Sequence, residues 1–208
     1  DHSHEMLAEA SRARKVLEFL ESLNYKDDAD WEKISASTVS IDSDPVTYVE
    51  DTIRKMDSLK ADVTAVRKQI TAREPWGDYD KDALDSLSDL GYTVRYYCVD
   101  AKRFDPSWEE LYPLQKVTED GKKLWFVTIA PANEEYSFPL NEIAAPDGTY
   151  AQAIAEKGHI ENEIVLCKAG LLNAKDYIPA IRETYTSIMT GMDRYLADSA
   201  AEGAAENH

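Results

Sequence analysis

Between residues 160 and 195 the apolar positions fall at Ile160, Ile164, Cys167, Leu171, Ala174, Ile178, Ile181, Tyr185, Ile188, Met192 and Tyr195. The steps alternate between four and three, which keeps one seam on a helix wound at about 3.5 residues per turn. An earlier stretch runs through Val49, Ile53, Met56, Leu59, Val63, Val66 and Ile70 in nearly the same rhythm. A shorter one reads Met6, Ala10, Ala13, Leu17 and Leu20. These seams predict helices over about 5–23, 45–74 and 149–200. Asp44-Pro45 starts the second: the Asp can cap free amides and the Pro fits a first turn. Pro75 and Gly77 end it. The third is interrupted at Gly158, Gly170, Pro179 and Gly191, and Pro179 should kink it. Between the first two helices, 24–44 is polar and broken, with Trp31 and Ile34 placed to pin it to a neighbour.

Residues 75–148 change character. A short amphipathic helix over 80–90 turns Ala83, Leu84, Leu87 and Leu90 inward and closes on Gly91. Strands follow over 93–99, 114–118 and 123–130, the last two joined by a Glu-Asp-Gly-Lys turn whose Asp-Gly pair signals a hairpin. One further short strand is expected near 136–140. The chain thus reads as α+β. A long antiparallel helical coiled coil, built from 1–74 and 149–208, carries a small α/β lobe with an antiparallel sheet over 75–148.

The 208 residues include 43 % apolar ones, enough for a core, and 40 acidic against 23 basic residues give a formal charge of −17. So negative a surface repels phosphate backbones and anionic lipid, which disfavours nucleic acid and favours a partner with basic patches. Two distant cysteines in apolar runs, Cys98 and Cys167, read as buried thiols rather than a disulfide framework. No apolar run approaches the roughly 18–20 residues that cross a bilayer. The chain opens at Asp1 without a signal peptide and reads as a segment of something longer.

Chemistry-bearing patterns are sparse. Asp78, Asp80 and Asp82 alternate like the first ligands of a calcium loop, but Ala83 stands where that loop needs Gly and Asp89 where it needs Glu. Helix capping explains the carboxylates instead. His2, His4, His159 and His208 form no cluster with metal-ligand spacing, and neither a Gly-x-Ser-x-Gly elbow nor a phosphate-binding Gly loop is present. No catalytic residue, cofactor, metal or small-molecule substrate is expected. The aromatics are denser: Tyr92, Tyr96, Tyr97, Phe104, Trp108, Tyr112, Trp125 and Phe126 must largely fill the lobe's core. Phe104, Trp108 and Tyr112 lie on a connection, where aromatic residues also mark contact surfaces, and are the candidate partner-binding residues.

The junction Glu74-Pro75-Trp76-Gly77-Asp78-Tyr79-Asp80, at the end of a long heptad helix, resembles that of bacterial V-type ATPase subunit I. Gly91-Tyr92, Phe104-x-Pro106-x-Trp108 and Trp125-Phe126-Val127-Thr128 add local likeness, and the order of elements is similar from residue 5 to 208. The resemblance implies a non-catalytic stator fragment on the cytoplasmic face of the cell membrane. Its distal lobe would grip the peripheral-stalk heterodimer, and its arm would carry torque reaction to an ion-translocating membrane half that lies outside this chain. The rival reading is a free-standing coiled-coil adaptor, like a holdase, that clamps a basic client.

Overall fold

A computed structural model describes residues 2–135 and 137–206. The fold is α+β, with long helices and one small antiparallel sheet, and it divides into two compact units.

The first unit comprises Asp1–Asp62 and Ile160–His208. It packs helix α1 (His2–Ser22), the short α2 (Trp31–Ala36), the first half of α3 (Pro45–Arg73), the last part of α6 (Tyr150–Ala174) and α7 (Ile178–Glu206). α3 starts as its sequence directs: Asp44 accepts from the Thr47 amide at 3.0 Å. On α1 the seam residues Ala10, Ala13, Leu17 and Leu20 are buried, together with Val16. Their partner is α7, running antiparallel. Met6 faces Gly191, the His2 ring meets Tyr195 at 5.4 Å, and Arg182 donates to Glu21 at 2.7 Å. Within this unit α3 neighbours both α1, through Arg12 and Glu50 at 2.6 Å, and α6, where Tyr48 lies against Gly170.

One refinement of the expected arm concerns pairing: within 1–74 it is α1, not 45–73, that covers the second half of 149–200. A 29-residue α3 is too short to line both a 25-residue α6 and a 29-residue α7, and the α1 seam needs cover of its own. A second difference lies between α6 and α7. The helical path is continuous across all three glycines, and the single irregularity is a 3-10 turn at Lys175–Tyr177. It falls just before Pro179, whose ring would clash with the carbonyl four residues earlier. Gly170 costs helix propensity, but its missing side chain is the space Tyr48 occupies.

The second unit is Val63–His159. It holds the end of α3, helix α4 (Lys81–Asp89), strands β1 (Tyr92–Asp100), β2 (Leu114–Glu119) and β3 (Lys123–Pro131), a 3-10 turn (Ala101–Arg103), a one-turn α5 (Trp108–Leu111) and the start of α6. The sheet order is β1-β3-β2, all antiparallel, with Tyr97 opposite Phe126 and a bulge at Val117. The hairpin forms where Asp-Gly marks it. Gly121 takes φ +84°, and Asp120 accepts from the Lys122 and Lys123 amides at 2.9 and 2.7 Å. Along β3 the alternation resolves cleanly: Leu124, Phe126, Thr128 and Ala130 are buried, while Trp125, Val127 and Ile129 are half-buried.

Two local expectations fail here. Of the strand expected over 136–140, Tyr136 lies outside the described residues and 137–140 form no strand. The β1 edge is instead touched once, by the Ile143 amide donating to Tyr96 at 2.8 Å. On α4 only Leu84 and Leu87 turn inward; Ala83 is exposed, and Leu90 is 73 % exposed. α4 lasts nine residues, so Leu90 is already its C-cap, and Gly91 at φ +88° swings the chain away before that side chain can face the sheet.

Candidate functional site

A set of polar bonds ties the end of α3 to the sheet and to the start of α6. α3 ends at Arg73, whose carbonyl accepts from the amides of Trp76 and Gly77, both at 3.0 Å. Gly77 sits at φ +65°, a left-handed residue that ends a helix at little cost only when it lacks a side chain. Pro75 cannot donate a backbone bond, but its carbonyl accepts from Thr118 Oγ1 on β2 at 2.6 Å. The Trp76 indole stands edge-on to the Tyr96 ring of β1, centroids 5.2 Å apart. One hydrogen bond and one aromatic contact thus fix the helix exit against the sheet.

The same seven residues hold the start of α6. The Gly77 carbonyl accepts from the Tyr150 amide at 3.2 Å, and Asp78 Oδ1 accepts from the Ala151 amide at 2.8 Å. Those are first-turn amides without an intrahelical partner, so a carboxylate there satisfies both the bond and the helix dipole. Thr149 and Gln152 complete a reciprocal capping box, Thr149 amide to Gln152 Oε1 at 2.8 Å and Gln152 amide to Thr149 Oγ1 at 3.1 Å. Arg73, buried at the α3 end, donates to the Thr149 carbonyl at 3.4 Å, and Tyr79 donates to the Pro146 carbonyl at 3.3 Å. A Cβ at Gly148 would meet Gln152 Oε1 at 2.6 Å and Arg73 Nη1 at 3.0 Å, so a larger residue would push these two flexible ends out of their present positions. The Thr-x-x-Gln spacing was readable in the sequence; the partners of Asp78 and Arg73, over 70 positions away, were not.

Two of the three alternating aspartates are helix caps. Asp78 caps α6, and Asp80 caps α4 by accepting from the Asp82 and Ala83 amides at 3.0 and 3.2 Å. Among the described residues no group of three His, Cys, Asp or Glu side chains is placed to hold a metal ion. Both cysteine thiols are free, and burial pushes each above its ordinary pKa, away from the reactive thiolate form.

Phe104, Trp108 and Tyr112 converge on one cap over the sheet. Phe104 meets Phe126 edge-on at 5.6 Å and Trp108 at 5.3 Å; Trp108 and Tyr112 both contact Phe138, at 5.2 and 4.7 Å. Lys116 adds its ammonium 5.1 Å from the Phe104 ring and pairs with Glu109 at 3.1 Å. Phe138 is the hub that sequence reasoning missed, touching Tyr97, Trp108, Tyr112 and Phe126. All three candidate residues are half-buried with their rings committed inward, and the apolar side chain projecting from the cap is Leu111, 70 % exposed.

Among the described residues no helix is long and apolar enough to cross a membrane. No protein-family model matches the chain, and no match was found among curated proteins or among solved structures.

Proposed function

We propose that this chain is a non-catalytic mechanical element, the stator fragment of a rotary V-type ATPase similar to bacterial subunit I. In this reading the helices of 1–74 and 149–208 form an antiparallel coiled-coil arm and the sheet unit is its distal lobe. The carrying observation is the junction. The residues that resemble the family motif are those whose groups bond both the exit of α3 to the sheet and the first turn of α6. Transmitted load needs such a joint, because a flexible linker would bend before it pulled. Seam packing along the helices would then resist shear.

The partner is the peripheral-stalk heterodimer, met by the aromatic cap of the lobe. Phe104, Trp108 and Tyr112 stiffen that cap from within, and Leu111 supplies an exposed apolar centre for a contact with a polar rim. The membrane-embedded half of the parent protein lies beyond this chain, and the fragment works on the cytoplasmic face. Titration calorimetry with the purified heterodimer should give saturable binding, weakened at least tenfold by Leu111→Glu. No heat from folded partners at high concentration would refute the reading. The charge of −17 also suits an adaptor that clamps a basic client. Calorimetry with unrelated basic proteins separates the two, since only the adaptor binds them.

A further inference from the structure

The 22 residues joining α1 to α3 wrap α6 with little more than one peg. Ile34, on α2, is 1 % exposed and is the fully buried residue of 23–44; it inserts against Val165 and Ala169 of α6. Tyr25, Trp31, Val39 and Leu172 surround it, all half-buried. Polar ties stand beside the peg. Lys168 of α6 donates to Asp28 at 2.5 Å under the Tyr25 ring, and Asn173 Nδ2 donates to the Val39 carbonyl at 2.8 Å. Most other residues of the segment are exposed. By contrast α1, which continues the chain on one side, is buried through Ala10, Ala13, Val16, Leu17 and Leu20 without using the segment.

We propose that residues 24–44 are a releasable strap. It opens as one unit while α1, α3, α6 and α7 stay packed, and opening bares the apolar stripe Val165, Ala169 and Leu172 on α6. The physical ground is an imbalance. Local opening costs only the contacts that the opened part makes, and here these are one buried aliphatic side chain, its ring of half-buried neighbours and three polar tethers, the third being Lys175 Nζ to the Leu23 carbonyl at 2.7 Å. Two sides of α6 are apolar in this arrangement, the seam side with Ile164 and Cys167 and the strap side with Val165 and Ala169, while Leu166 between them is 51 % exposed. This inference stands apart from the stator reading and survives its failure.

Native-state hydrogen exchange tests it. The reporters are the hydrogen-bonded amides of the strap: Trp31 to the Asp28 carbonyl, Ile34 to Asp30 and Ser37 to Ile34. In the wild-type chain they should exchange faster than amides in the buried turns of α1 and α6, with weaker denaturant dependence. Ile34→Val, which removes one buried methylene and keeps the fold, should speed strap exchange about three- to tenfold. Ile181→Val removes a buried methylene from α7, which stays packed when only the strap opens. It should therefore accelerate the slow bundle amides and leave the strap amides unchanged. Strap amides that exchange at the bundle rate, or that accelerate in Ile181→Val by the same factor as the bundle, would overturn the proposal.

Discussion

Removing the ammonium of Lys168 gives the most quantitative test of how the strap is held. Lys168 Nζ and Asp28 Oδ2 are 2.5 Å apart, with side chains 16 % and 18 % exposed, so both charges have left most of their water. Asp28 keeps a second partner, the Asp30 amide at 2.8 Å on Oδ1. An exposed pair would contribute at most about 1 kcal/mol, whereas truncating one member of a fully buried pair costs about 3–5 kcal/mol. Partial burial and the retained amide place Lys168→Met near 2–3 kcal/mol. Asp28→Asn, which keeps an acceptor for that amide, should cost about 1–2 kcal/mol, and the double-mutant cycle should return a coupling of about 2 kcal/mol. Urea melts of the four proteins supply the numbers. The pH dependence has a definite sign. The hydrogen bond from Lys168 holds the Asp28 carboxyl below its ordinary 3.8, helped by the Asp30 amide and the charges of Lys168 and Lys60. A depressed carboxylate contributes its stability in full above the unfolded value and loses it as pH falls through the folded one. The coupling should therefore hold from about pH 7 to 5 and shrink below about pH 4. A coupling under about 0.3 kcal/mol, or one that does not shrink below about pH 4, would mean the pair is screened like any surface contact and the argument is wrong.

Further measurements probe the other joints. Ile181 of α7 is 2 % exposed, so Ile181→Asp should cost about 4 kcal/mol through an unpaired buried charge, and an unchanged melting temperature would show that Ile181 is not in a packed seam. A methyl group at Gly170 would overlap the Tyr48 hydroxyl and sit 3.1 Å from its Cζ; Gly170→Ala should cost about 2 kcal/mol in urea melts, and at least half of that should vanish in a Tyr48→Phe background. Asp78→Ala and Thr149→Ala remove separate amide partners from one helix start, so each should cost about 1 kcal/mol and the two should add; a double mutant no worse than either single would show that only one of these bonds forms.

Periodicity alone placed the helical seams, since a helix that buries one face must repeat its apolar residues near 3.6 positions whatever covers them. The Asp120-Gly121 hairpin, the Gly91 terminator and the two-residue alternation along 124–130 were legible for the same reason, each being a local rule of backbone geometry or pleat, whereas which face of β3 turns inward was not. Pairing was not local. The seam of α7 could have met α3 or α1, and helix lengths in three dimensions gave it to α1. Likewise nothing near Asp78 announces Ala151, and nothing near Phe104, Trp108 and Tyr112 announces Phe138, because those partners are joined by folding rather than by spacing. The strap was half visible, in Trp31 and Ile34 as apolar points in a polar run. Its receptor, Val165 and Ala169, lay off the α6 seam and was hidden by it, because a heptad pattern records one buried face and this helix has two. Sequence therefore set which side chains must leave water; only the assembled chain decided what each of them leaves it for.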